Sequence, residues 1–184
     1  MTMMVASENL EENLTKASDP ATHHWDLHRL ARSWNFDVCA AIAVNSATRP
    51  ITLDHLSFSH NVQLLQLVAG HPATLPVTLR RMILNGDPDL LAKIAEHPST
   101  MSVDLDMLAR RPELFIVAAV AANRGAMEST LDFLGYHECP DIRVLVGRNL
   151  SASHATRMRL VVDGNEAVRE AAEETLTLIQ HFGL

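Results

Sequence analysis

Aromatic residues make up only 4% of this 184-residue chain, although 47% of it is apolar. A β-sandwich of this size draws on Tyr, Phe, Trp and Thr alternating in short runs, so the scarcity excludes that class. It points to an all-α core of Leu, Val, Ala, Ile and Met. Lysine is nearly absent as well, since Lys16 and Lys93 are the two lysines among 15 basic residues. The positive surface is therefore arginine, which suits fixed carboxylate contacts or simply follows the codon usage of a GC-rich genome. The seven glycines are scattered singly and form no phosphate-cradling loop. No apolar run reaches the length of about 18 residues that a membrane helix needs. The N-terminus has no basic stretch followed by an apolar one, so secretory export is not expected.

The net charge of −7 is concentrated at the two ends, Glu8 to Asp19 and Asp163 to Glu174, while the middle is nearly balanced. Nucleic acid and anionic lipid reward a contiguous basic surface, so this distribution disfavours both, and no membrane association is expected. Residues 1–22 are polar and lie outside the repeat register; Ser7 to Lys16 could form a short helix capped by Ser7, but its apolar face is thin, and the stretch reads as a tail that folds on a partner at most.

What the chain does have is a period of 26 residues. Leu27, Leu53, Leu79, Leu105 and Leu131 form one column; Leu30, Leu56, Met82, Leu108, Leu134 and Leu160 form another. A domain built this way is a stack of like units. Residues 23–184 are thus expected to be one helical-repeat domain of six units, each with two short helices. The second helix is the better defined, with Val38, Leu64, Leu90, Ile116, Ile142 and Val168 four residues ahead of Ile42, Val68, Ile94, Val120, Val146 and Ala172. Helices of two or three turns are marginal alone, so packing between units must hold them. A small-residue column follows at Ala43, Ala69, Ala95, Ala121 and Gly147, where helices approach closely. It ends in Glu173, and the Leu27 column ends in Arg157, so the last unit is expected to turn a polar stacking face outward as a cap. Helices stacked about 8–10 Å apart would put Cys39 and Cys139 of the first and fifth units far beyond disulfide reach, as reduced thiols in the cytoplasm.

Two positions past the small column stand Asn45, His71, His97, Asn123 and Asn149, where each helix should end. These side chains are expected to form a structural ladder that closes helix termini or bonds the neighbouring unit's backbone.

The stretches DPDLLAKIAEHP at 87–98, AAVAAN at 118–123, AAIAVN at 40–45 and PDIRVLVGRN at 140–149 share one register. They resemble the leucine-rich repeat variant family, whose units run from AspPro through an apolar helix to Val-Ala-x-Asn-Pro and then a Leu-x-x-Leu segment. The resemblance implies a right-handed α-solenoid in which α-helices alternate with shorter α or 3₁₀ helices. Some family members carry an iron–sulfur centre on an N-terminal cysteine cluster; with no such cluster here, that site is not carried over.

The remaining polar groups offer little chemistry. His24 and His28 would share a helix face at i, i+4 and are weak candidates for metal binding, with no third ligand at a defined spacing. No nucleophile elbow or metal-hydrolase spacing occurs, so no catalytic residue and no cofactor are expected. Arg80, Arg81, Arg110 and Arg111 are candidate partner-binding residues, and an arginine-rich face suggests a nucleic-acid-binding repeat as the alternative. Interleaved acids such as Asp87, Asp104 and Asp106 favour a salt-bridged solvated face instead. The leading expectation is a non-catalytic, cytoplasmic bacterial scaffold for a protein partner, with an enzyme carrying an unrecognised site as the further alternative.

Overall fold

The computed structural model describes the backbone of residues 2–183 and the side chains of residues 9–183. These form thirteen helices and, among the described residues, no strand. The chain divides into two compact units, residues 1–93 and 94–184.

The first unit contains α1 (Thr2–Ser18), α2 (His24–Ala31), α3 (Phe36–Val44), α4 (Pro50–Leu56), α5 (Val62–Gly70), α6 (Pro76–Ile83) and the start of α7 (Pro88–Glu96), within which the division falls. The second contains α8 (Ser102–Leu108), α9 (Leu114–Ala122), α10 (Glu128–Leu134), α11 (Pro140–Arg148), α12 (His154–Leu160) and α13 (Glu166–Phe182). Short helices begin at His24, Pro50, Pro76, Ser102, Glu128 and His154; longer ones begin at Phe36, Val62, Pro88, Leu114, Pro140 and Glu166. Both series keep the 26-residue step throughout.

Local chemistry explains these starts. Pro50, Pro76 and Pro140 sit in the first helical turn, where no amide donor is needed. Asn35, Asn61, Asp87 and Asn165 accept from the backbone N–H three residues on, capping four of the longer helices. In the first unit α3 packs between α1 and α5, with α2 and α4 against it; Leu27, Leu53 and Leu79 are buried there. In the second, α11 packs between α9 and α13, and Leu105 and Leu131 are buried.

Thr2–Ser18, where the sequence suggests at most a short helix from Ser7 to Lys16, is the helix α1. The apolar face of α1 is thin because Glu12 and Lys16 stand where later helices have Val38 and Ile42, yet Ala17 continues the small-residue column backward and is fully buried. Asn45 Nδ2 ties the helix down by donating to the Ala17 carbonyl at 2.8 Å and the Asp19 carbonyl at 2.9 Å.

Arg157 also departs from expectation. It is 5% exposed rather than facing solvent as part of a cap. Its Nη2 donates to the carbonyls of Asn149 (3.1 Å) and Leu150 (2.7 Å), and burial pushes its pKa down. The cause lies in α13. At Thr175, one period past Asn149, the hydroxyl bonds back to the Ala171 carbonyl and the helix runs on to Phe182. With no side chain at 175 to reach the Asn149 carbonyl, the guanidinium takes that role. Glu173, in contrast, is exposed.

Gly147 fixes the direction in which the small column faces: a Cβ there would meet the Ala172 nitrogen at 3.3 Å and the Ala171 Cβ at 3.5 Å on α13. The small residue of α11 therefore meets the next long helix, α13. Ala121, fully buried on α9, carries the same constraint toward α11. Ala121→Leu is expected to destabilise the second unit by about 1–3 kcal/mol through overpacking, read as a lowered urea midpoint; an unchanged midpoint would show that α9 and α11 have room to spare.

Candidate interaction surface

The polar columns place their side chains in two ladders. In the first unit, His71 accepts from the Ala73 N–H at Nδ1 (3.1 Å), so Nε2 carries the proton and donates to the Asn45 carbonyl at 3.1 Å. In the second, Asn123 Nδ2 donates to the Ala95 and His97 carbonyls at 2.7 and 3.1 Å, and Asn149 Nδ2 to those of Ala121 and Asn123 at 2.8 and 3.0 Å. Each ladder residue also accepts from the N–H two residues on, His97 from Ser99 and Asn149 from Ser151 included. Asn and His interchange because both offer an acceptor close to their own turn and a donor on the far side.

The second ladder lies on the short helices and escapes a search for columns in one register. Its partners are 24 residues apart, so donor and acceptor belong to different columns. Thr78 donates to Asp54, Thr130 to Asp106 and Thr156 to Asp132, while Thr52 meets His28 Nδ1 at 3.1 Å. Two arginines reinforce it. Arg81 bonds the Asp54 carboxylate and the Ser57 hydroxyl and lies 4.0 Å from the Phe58 ring centroid. Three periods on, Arg159 bonds Asp132 and the Gly135 carbonyl and lies 3.6 Å from the Tyr136 centroid. A Cβ on Gly135 would come within 2.9 Å of the Arg159 guanidinium, so glycine makes the room that this clamp needs.

The predicted arginines are thereby largely paired within the chain. Arg81 is paired with Asp54, Arg110 with Asp106, and Arg111 with Glu113 through two hydrogen bonds; Arg80 is engaged as well. Arg143 forks Asp163 at 2.8 Å through both Nε and Nη2 and holds its carboxyl below the usual range. At Asp54 burial acts in the opposite direction, but the Thr78 hydroxyl and Arg81 outweigh it and lower its pKa.

His24 and His28 are not joined by a third ligand, and no group of three or more His, Cys, Asp or Glu is arranged for a metal among the described residues. They belong instead to a run of rings: His24 to Trp25 at 5.2 Å between centroids, Trp25 to His28 at 6.5 Å, His28 to His55 at 5.8 Å and His55 to Trp34 at 4.8 Å. Burial, then His28 and Arg32, depress the His55 pKa, and its Nε2 is buried without a hydrogen-bond partner. Cys39 and Cys139 are free thiols, and burial pushes the Cys39 thiol up.

The scarce aromatics carry the most information about this surface. Trp25, Trp34, Phe36, Phe58, Phe115, Phe133, Tyr136 and Phe182 are all of the aromatic residues in the chain, and every one is exposed, Tyr136 to 68% and Trp25 to 61%. Large aromatic rings ordinarily dominate cores; here the core holds none.

No protein family matches the sequence, and no curated protein is significantly similar to it. The structure is similar to that of a solved protein described as a leucine-rich repeat variant with a novel repetitive protein structural motif, at a TM-score of 0.63 and 16% identity. The match covers 89% of this chain and 64% of that one, so the chain spans just under two thirds of the length of its structural relative. The likeness is one of fold: this chain has the helical-repeat fold of that leucine-rich repeat variant. No helix among the described residues is long and apolar enough to cross a membrane.

Two outcomes follow from these bonds. Asn149→Ala strands two buried carbonyls and one N–H and is expected to cost about 2–4 kcal/mol in thermal or urea unfolding, whereas Asn149→His should recover much of the loss; equal losses would show that the donor–acceptor geometry is unimportant. Because the folded-state pKa of His55 is depressed, its stabilising contribution is complete above the unfolded-state value near 6.5 and is lost as pH falls through the lower folded one. Wild type should therefore lose more stability than His55→Gln between neutral and mildly acidic pH, and parallel losses would count against this.

Proposed function

We propose that the chain is a non-catalytic scaffold that binds protein partners through its exposed aromatic side chains. The observation that carries this reading is the segregation of the core from the aromatics: aliphatic residues fill the interior, and all eight rings stand on the surface. Trp, Tyr and Arg are the side chains that most often anchor protein interfaces; Trp and Tyr combine large contact area with a polar handle and few rotatable bonds. An isolated exposed ring needs no explanation, but the absence of every Phe, Tyr and Trp from the core does.

The non-catalytic part rests on where the polar groups are spent. Asn45, His71, Asn123 and Asn149 are buried with donors and acceptors directed at backbone groups, and Thr48 and Thr74 bond helix carbonyls. A general base or nucleophile needs a proton or lone pair directed at a substrate. The paired arginines likewise argue against phosphate recognition, which requires cations free to replace counterions.

Trp25→Ser, Phe115→Ser and Tyr136→Ser are each expected to change stability by no more than about 1 kcal/mol, as for surface positions with at most one cation–π contact. The same three changes together should abolish the recovery of partners cross-linked to the wild-type chain in its native cells. Recovery of an unchanged partner set, or substrate turnover by the purified chain, would overturn the reading.

A further inference from the structure

We propose that the ring-lined ridge of the first unit, from Arg49 and His24 through Trp25, His28 and His55 to Trp34 and Arg32, docks an acidic polypeptide segment of another protein. This rests on the interaction reading above and assigns that reading a surface and a partner chemistry.

Three observations converge on the ridge. The first is its backbone. Trp34 has φ +53°, and it is the only non-glycine residue with positive φ among the described residues. Two periods on, the same position is Gly86 at φ +76°, where no side chain resists that conformation. A bulky residue held in the left-handed region is a strained arrangement of the kind that collects at binding sites. The strain places an indole that is 48% exposed against the His55 ring.

The second is its charge. The Arg29–Asp26 and Arg81–Asp54 pairs are neutralised within the ridge, whereas exposed Arg32 and Arg49 have no ion pair among the described residues. Four histidines lie along the same line, since His23 stacks on His24 at 4.3 Å. The ridge therefore carries surplus positive charge in a chain whose net charge is −7.

The third is the unmet charge capacity of the imidazoles. His55 faces His28, Arg32 and Asp54; His24 faces His23 and Arg49. Water loss and neighbouring positive charge both oppose protonation of these rings, and a carboxylate brought alongside would reverse that balance. Two tryptophans and two unpaired arginines match the side chains that anchor protein interfaces. A polyphosphate fits less well, because it needs many free cations and would meet Asp26 and Asp54.

The test is a fluorescence-anisotropy titration of the full chain into a labelled peptide of alternating Glu and Leu. Parallel titrations use a Gln/Leu peptide and a single-stranded oligothymidylate, and sedimentation reports self-association. The Glu/Leu peptide is expected to bind at least about tenfold more tightly than the Gln/Leu peptide. Binding should tighten from about pH 8 to about pH 6, because a bound carboxylate favours the charged forms of His24 and His55. The double variant R32A/R49A should lose about tenfold in affinity. Trp34→Gly should keep or raise the melting temperature while weakening binding, a combination that a purely structural tryptophan would not produce.

Equal binding of the Glu and Gln peptides, or of neither, would remove the acidic partner while leaving the interaction reading to its own test. Preference for the oligothymidylate would reassign the ridge to nucleic acid. Self-association abolished by R32A/R49A would make the occupant a second copy. A lowered melting temperature for Trp34→Gly with binding unchanged would return Trp34 to a structural role.

Discussion

A helix of nine residues ends almost as soon as it has begun, and its last carbonyls have no partner within the helix. In both units the next ladder residue along the chain supplies the missing donors. Asn149 holds Ala121 and Asn123, Asn123 holds Ala95 and His97, and Asn45 holds Ala17 and Asp19. Each of these side chains closes its own turn with the acceptor that is left, so a single residue ends one helix and fastens the previous one. Short helices are marginal without such support. The small column matters for the same reason: Ala or Gly at the contact brings the helices close enough for an Asn or His side chain to reach across.

That dependence explains which parts of the fold were legible in the sequence. The apolar columns and the ladder recur in one register, so stepping by 26 residues finds them. α1 was legible only as a short, thin-faced helix from Ser7 to Lys16, because Glu12 and Lys16 break its apolar face and its anchor is Asn45, the residue that ends α3. Arg157 read as a polar cap for a related reason. Charge at an apolar column suggests solvent, and the vacant carbonyl that draws it inward exists only because α13 fails to stop at Thr175.

The surface was less legible than the core. Thr78 and Asp54, or Thr156 and Asp132, pair across 24 residues rather than one period, so no single column reveals them. Their consequence is chemical: Asp54 and Asp132 recruit Arg81 and Arg159, which are then held over Phe58 and Tyr136 rather than extended into solvent. A count of arginines overstates the available positive charge for this reason. Low aromatic content was read as a property of the core, and the composition alone does not say that the few rings present are all outside.

Close helix approach also bears on why the rings are outside. Cores are packed to near-crystalline density, so a ring fits only where the elements stand far enough apart to hold it. In these units the contact column admits Ala and Gly, and the layers between are filled by Leu, Ile, Val and Met. A ring at such a position would force the helices apart and break the carbonyl bonds that hold them, whereas at the surface it costs the fold little. Trp34 is the exception, since its placement carries backbone strain that Gly86 avoids two periods later. The interior thus leaves the rings a permissive surface, and at Trp34 something other than fold stability accounts for the choice of side chain.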